Sequence, residues 1–490
     1  VDRFDVVIVG AGPSGIATAL TLQRLRRARV LLIDGGRAHR NRICPVDNGR
    51  HCKGCKGICN VISGFGGALH FGDAAKFSLL PSGRRLIELL GHERAVAVCD
   101  RAVKLLEELS LCSLKANCSP LKNEILARFS AADLEIRDYP VLTLSEAHVR
   151  ILIDTAYARI TSLATVCLGE DVLDIQRTGG EFTVYTTRRT ITSSAVVIGT
   201  GRSGITKTQG FLETLGVRTV PPTPSIGVRF EFPASLTREV GLAFPDLKIS
   251  VRKHSGEKTK TFCLSAGPSG GRVKFCHYQD AFPKPFVFLD GHLVFDDVKH
   301  VPDPMVPANF AVLYKLQKTT SCTSDWIWSH FLRRYYALSR GRPIAETYVN
   351  FKLGIDTSFP TKWGDIKRSV GFRPSVDDFV VGNLHLLFED GMRTEICETY
   401  ERVLSCMSQK IELPASAGIN NTLVYGPELE FFWDEVSINA ECETQVPNLF
   451  IVGDSAGKAQ GNLQAMMMGI AAGDCLVERL TKEPVSGVGV

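Results

Sequence analysis

The chain has 490 residues, 57 basic against 52 acidic side chains, and 44% apolar residues. That balance is ordinary for a globular protein and excludes disorder or a collagen-like repeat. A net charge of +5 gives no case for nucleic-acid binding, and no apolar run reaches the roughly 18 residues a membrane span needs. Fifteen cysteines are about 3% of the chain, too sparse for a disulfide scaffold. No signal peptide is visible ahead of the first strand. The expectation is a soluble, cytoplasmic protein with mostly reduced thiols and a small-molecule partner.

In chain order, Phe4 to Val9 reads as a strand buried on both faces, as in a parallel sheet. Gly10-Ala-Gly-Pro-Ser-Gly15 follows, then Ile16 to Arg26 at helical period, then a strand from Val30 to Ile33 ending in Asp34. This is a βαβ opening. Leu79 to about Pro140 has helical periodicity and reads as a helical insertion or cover (79–140). Thr143 to Arg159 is an amphipathic helix. Val166 to Leu168, Val172 to Ile175, Phe182 to Thr186 and Thr190 to Ile198 read as a small β-meander, with Gly179-Gly180 as a hairpin turn. Short β-like segments from Thr206 to Glu435 read as a separate mixed lobe. The chain then returns to strand, glycine turn and helix from Asn448 to Leu480.

The first chemical motif is Gly10-x-Gly12-Pro13-Ser14-Gly15 between strand and helix. Gly10 permits the tight turn, Gly12 lets a pyrophosphate approach the backbone, and Gly15 lets helix and strand pack closely. The helix N-terminus favours the phosphates. Asp34, with Gly35 behind it, ends the second strand where a carboxylate accepts ribose hydroxyls. At the far end, a strand delivers Gly453-Asp454, and Gly461-Asn462-Leu463 opens a helix. A carboxylate there suits a ribityl hydroxyl, and the helix N-terminus suits negative charge on a flavin ring.

These motifs, with a mid-chain strand ending in Gly199-Thr-Gly201, resemble the glutathione-reductase-type FAD fold. More narrowly, the chain resembles a family of FAD-dependent dehydrogenases. That likeness is carried by Cys44-Pro45, Cys52-x-x-Cys55-x-x-x-Cys59, Ile62 to Ala68, Gly201-Arg-Ser-Gly204, Ser225 to Arg229, Lys260 to Cys263, and Leu423 to Glu428. Two loops depart from the family's pattern, His70-Phe71-Gly72-Asp73 and Ser265-Ala-Gly-Pro, so the substrate can differ. The resemblance implies an α/β fold: a discontinuous Rossmann-like FAD domain (1–78, 141–205, 436–482) and a mixed α/β substrate lobe (206–435). It adds Gly64, Gly66, Gly67, Val172, Thr200, Gly201 and Arg202 to the expected cofactor contacts. Gly199 to Gly204 also spells a dinucleotide fingerprint, but no ribose selector follows it. Reduced nicotinamide could therefore donate electrons only without a dedicated domain.

The cysteine cluster admits three readings. Cys44, Cys52, Cys55 and Cys59 could supply four thiolates to zinc or an iron–sulfur cluster. Two of them could form a redox pair above the flavin. Otherwise they are packing thiols. His70 and Lys76 could orient substrate, while Tyr425 and Glu428 could act as proton donor and orienter. The expected function is an FAD-dependent oxidoreductase passing a hydride between a small organic substrate and flavin N5. A flavin monooxygenase, a thiol–disulfide flavoenzyme and a non-enzymatic electron relay are the alternatives.

Overall fold

The computed structural model describes residues 2–25, 27–48, 55, 58–70, 74–116, 119–252, 258–266, 270–278, 286–293, 305–316, 326–357, 362–375, 379–408, 421–458 and 460–482. β1 (Asp2–Val9), α1 (Pro13–Leu22) and β2 (Val30–Asp34) form the expected opening. Val6, Val7 and Ile8 are fully buried, as a strand covered on both faces requires. α1 stops at Leu22, short of Arg26, because the chain turns there to re-enter the sheet at Val30.

β3 (Ala75–Ser78), α2 (Arg84–Leu90), α3 (His92–Ser110) and α4 (Lys122–Ala131) come next. β4 (Glu135–Arg137) and β5 (Val141–Leu144) lead to α5 (Glu146–Thr161), whose first turn is capped by Ser145. β6 (Thr165–Leu168), β7 (Val172–Thr178), β8 (Glu181–Thr186) and β9 (Thr190–Ile198) follow. Only β7, β8 and β9 make the meander, since β6 pairs in parallel with β2 at the opposite edge. Gly179 and Gly180 take φ of +59° and +91°, the positive pair that a two-residue hairpin turn needs.

α6 (Ile205–Thr214) and β10 (Thr219–Val220) lead into β11 (Ser225–Pro233), α7 (Arg238–Ala243), β12 (Lys248–Arg252) and β13 (Lys258–Ser265). β14 (Gly271–Tyr278), β15 (Phe286–Leu293), β16 (Pro307–Lys315), α8 (Leu332–Ser339), β17 (Ile344–Thr347), α9 (Tyr348–Leu353) and α10 (Trp363–Ser369) extend this region. β18 (Val380–Val381), α11 (Asp390–Ser408), β19 (Leu423–Glu430), β20 (Glu435–Val436), β21 (Leu449–Ile451) and α12 (Asn462–Lys482) complete it.

Two large sheets result. The first runs β6-β2-β1-β9-β8-β7, with β21 added in parallel beside the second half of β9. The second runs β18-β17-β19-β11-β16-β13-β12-β4 and is antiparallel except for the β17–β18 pair. The protein is thus α/β, with a Rossmann-type sheet and a second, mixed lobe. Two elements cross the boundaries expected from the sequence. The 79–140 segment is not a separate cover: α2 and α3 bury Leu86, Leu90, Val98 and Leu106 in the first sheet's core, while β4 extends the second sheet. α6 likewise buries Phe211 and Leu212 in the first core. An apolar helix face packs wherever an unfilled sheet face lies, whatever its place in the chain.

α12 packs along α1, with Gly469 close against the Ser14 carbonyl and Gly473 against Thr21. Small residues let the two helices approach. Among the described residues no helix is long and apolar enough to cross a membrane.

Candidate functional site

A cavity of about 640 Å³ lies where the first sheet's strand ends face the second sheet. Val9 ends β1 and Gly10 follows it, Asp34 ends β2, Gly199 to Arg202 follow β9, and Gly453-Asp454 follow β21; all line it. In an open parallel sheet, ligands bind outside the carboxyl ends of the strands.

Backbone contacts shape this side. Gly10 has φ +109°, and a Cβ there would stand 2.3 Å from the Gly199 carbonyl oxygen. A Cβ on Gly15 would stand 1.9 Å from the Gly10 carbonyl oxygen. These glycines close the strand–helix–strand junction, and Gly15 does not itself line the cavity. Gly12 and Gly201 do, and Gly201 has nothing within 4 Å of where a side chain would begin. Bare backbone beside the start of α1 fits a pyrophosphate. Pro13 and Ser14 complete that turn, and Gly35 and Val172 line the cavity farther on.

Asp34 does more than wait for a ribose. Its Oδ2 accepts the Ala11 N–H at 2.8 Å, and its Oδ1 accepts Gly36 N–H at 2.7 Å and Gly64 N–H at 3.1 Å. A carboxylate has about four acceptor positions, so these three bonds tie the loops together and leave acceptor capacity on a residue that lines the cavity. Gly64 and Gly66 lie behind this knot, away from the cavity; Gly66 N–H donates to the Ala11 carbonyl at 2.8 Å. Gly67, buried, and Ala68, exposed, bring the same loop to the cavity wall.

Sequence reasoning missed Arg42, which organises that loop. It is buried, and its guanidinium donates to the carbonyls of Asn60 (3.0 Å), Val61 (2.9 Å), Phe65 (2.8 Å) and Leu69 (3.3 Å), and also to Gly67. Five donors in a fixed fork suit a cluster of carbonyls. A lone Arg before Ile43-Cys44 carries no sequence signal for this role.

Asp454 accepts from Arg202 Nε at 2.9 Å, and both line the cavity. Gly461 and Asn462 also line it, whereas Leu463 is fully buried behind them. Lys76, on the small β3–β5 sheet, reaches into the second lobe, donating to Asp246 Oδ1 at 3.0 Å and to the Leu264 carbonyl at 2.6 Å. Burial pushes the Asp246 carboxyl up, but Lys76, Lys248 and Tyr139 hold it below its usual value. His70 lines the cavity with its Nε2 2.6 Å from Asp47 Oδ2, and Asp47 also takes the Lys274 ammonium at 2.5 Å.

Tyr425 and Glu428 are corrected. Neither lines the cavity. Tyr425 is fully buried, donates to Glu231 Oε2 at 2.6 Å and stacks on Phe379 at 4.2 Å. Glu428 is buried against Arg229, accepting from Nε at 2.9 Å. Both hold the second sheet together. Glu430, the last residue of β19 and two places beyond Glu428, instead reaches the cavity, where it pairs with Lys260.

Cys59 lines the cavity and Cys55 is beside it. The Cys59 thiol hydrogen-bonds the Cys55 sulfur; this bond brings Cys55 down to about 6 and pushes Cys59 well up, with burial adding to the latter. Cys44 is buried in the apolar core nearby, and Cys52 lies outside the described residues. Among the described residues, no group of three or more His, Cys, Asp or Glu side chains is arranged to hold a metal ion, and no disulfide joins the described cysteines.

Residues 4–223 match the family model described as pyridine nucleotide-disulphide oxidoreductase. The match ends just before β11, so the second sheet's principal strands lie beyond it. No curated protein matches the sequence. Similar solved structures include E. coli quinol fumarate reductase, 13% identical with a TM-score of 0.41 over 100% of this chain and 72% of that one. A p-nitrophenol 4-monooxygenase from Pseudomonas putida DLL-E4 is 13% identical, with a TM-score of 0.38 over 98% and 81%. T. acidophilum thioredoxin reductase is 16% identical, with a TM-score of 0.19 over 41% and 36%. The Rossmann-type sheet, the glycine turns at its strand ends and the matched segment define the class: an FAD-dependent oxidoreductase.

Proposed function

We propose that this protein transfers a hydride between a small organic substrate and N5 of FAD, in the cavity between the two sheets. One observation carries the reading: a single cavity joins the backbone turns of the parallel sheet to a wall of side chains on the antiparallel one. Gly10 to Ser14 would hold the pyrophosphate, Asp34 the adenosine ribose, and Asp454 with Arg202 the ribityl end. FAD supplies the hydride acceptor, and the protein supplies binding, orientation and electrostatics. The substrate lies against the second sheet, where Lys76 and Asp246 fix the approach of the two lobes and exclude bulk water. Its thiol-rich interior suits a reducing compartment, which we take to be the cytoplasm.

The test is direct. The purified protein should be yellow, or become so on reconstitution with FAD, and anaerobic addition of the right substrate should bleach it. A colourless protein that refuses FAD sinks the proposal.

The hydrogen bond between Cys55 and Cys59 favours a second reading, a thiol–disulfide flavoenzyme. A thiol near 6 is mostly thiolate at neutral pH, and the thiolate is the nucleophile. Alkylation at Cys55 should then follow a midpoint near pH 6, slowing below it. Titration should count two fewer thiols in the oxidised protein than in the reduced one. An equal count in both states removes this reading and leaves hydride transfer to an organic substrate untouched.

A further inference from the structure

The second sheet faces the cavity with cations that hydride transfer does not require. The register sets Arg252 opposite Lys258 across β12 and β13, and Lys258 opposite Lys315 across β13 and β16. Residues directly opposite stand on one face, about 4.5–5.5 Å apart at Cβ. All three line the cavity. On the same face the following rows place Lys260 opposite Ser250 and Arg137 opposite Lys248. The first turn of α2 adds Arg84 and Arg85 to the lining.

Several of these charges are balanced. Lys260 pairs with Glu430, Arg85 with Glu435 at 3.3 Å, and Arg84 with Glu88 at 3.0 Å. The central row is different. Among the described residues, no carboxylate comes within ion-pair distance of Arg252, Lys258 or Lys315. Glu135 favours the Lys258 cation from farther away, while Arg137, Arg252 and Lys260 oppose it. Burial first, and these like charges second, pull the Lys258 ammonium below its usual value. Burial, Arg85, Lys260, Arg252 and Arg84 do the same to Lys315. Like charges directly opposite destabilise a sheet. Three abreast, at the rim of a cavity, are explained by a counter-charge that arrives from outside.

We infer that this row is the docking wall for a multiply charged anionic group, a phosphate ester or clustered carboxylates, carried by the small-molecule substrate. The inference rests on the proposed flavin reaction for the word substrate, but the anion site stands on the register and the lining alone. Arg252 and Lys315, at the two flanks of the row, are exposed, and Lys258 between them is half-buried. Such a rim raises the local concentration of an anion and speeds its capture.

The experiment uses the full-length flavin-loaded protein, with inorganic phosphate and citrate as probes at an ionic strength fixed with sodium chloride. Calorimetry should give saturable binding, and the thermal midpoint should rise with either probe or with one of them. Lys258→Met combined with Lys315→Met should weaken that binding about tenfold or more, while the flavin spectrum stays the same. Lys258→Arg, which keeps the charge, should retain it. Because the double variant could misfold, Arg252→Gln, at an exposed position, repeats the test with a smaller loss. Binding of phosphate alone assigns a phosphate ester, and binding of citrate alone assigns clustered carboxylates. No saturable binding of either, or equal binding by parent and charge-removing variants, overturns the inference. A protein that binds anions yet refuses FAD keeps the site and loses the flavin reading; one that takes FAD and ignores both probes does the reverse.

Discussion

The two sheets meet one cavity with opposite chemistry. The first presents backbone: glycine turns at strand ends, an apolar interior, and a loop whose carbonyls converge on Arg42. The second presents side chains, and it buries charge in its own core. Arg229 is fully buried between Glu428, Asn309 and the Cys263 carbonyl, and Glu231 is fully buried between Ser375 and Tyr425. A cofactor held by main-chain atoms leaves little for side chains to specify, whereas a substrate is distinguished by the groups that touch it. The first sheet therefore defines a class and the second a member.

The comparison can be broken most sharply at Gly15. Gly15→Val would drive a branched side chain into the Gly10 carbonyl oxygen. The protein should emerge from gel filtration without flavin, its affinity reduced about a hundredfold or more. Retained flavin would show that backbone closeness is not what holds the cofactor side.

In the second sheet the corresponding blow is Arg229→Met. It removes the guanidinium that faces the buried Glu428 carboxylate, whose Oε1 lies 2.5 Å from Nη2. Urea denaturation should report a loss of about 3–5 kcal/mol. A loss under about 1 kcal/mol would mean that the buried charges are not what holds this sheet.

Glu231→Gln is the gentler probe. Burial raises the Glu231 carboxyl to about 7 from an ordinary 4.5. Folding thus loses stability from this group as pH rises from about 4.5 to about 7, and the loss persists above. Glutamine keeps the shape without ionising. The variant should match or trail the parent at pH 5 and exceed it at pH 8, by on the order of 1–3 kcal/mol. Parallel stability curves for the two would place the ionisation elsewhere.

Much of the first sheet was legible in the sequence because its constraints are local. The Gly10–Gly15 spacing, Asp34 at a strand end and the paired glycines 179 and 180 each announce a backbone conformation within a few residues. Arg42 was not legible, since its five acceptors are carbonyls, which no residue type reveals. Tyr425 and Glu428 were misread because the segment LVYGPELE is buried throughout and only its last residue, Glu430, reaches the cavity. Only the register told which side chains reach the cavity. The same holds for Arg252, Lys258 and Lys315, which are 63 residues apart at the extremes and adjacent only once three strands are paired.

The place of β21 beside β9 has a consequence for synthesis. Some 250 residues separate Ile198 from Leu449, and every strand of the antiparallel sheet except β4 is encoded between them. At about 5–20 residues per second, the β9 edge emerges on the order of 10–50 s before its partner. During that interval Val196 to Ile198 present unpaired amides and carbonyls, the kind of open border on which other chains can assemble. The turn bearing Asp454 and the helix behind it are translated later still. A nascent chain can thus form the glycine turns that follow β1 and β9 early, but it adds the Asp454 turn beside them only after the antiparallel strands encoded in between.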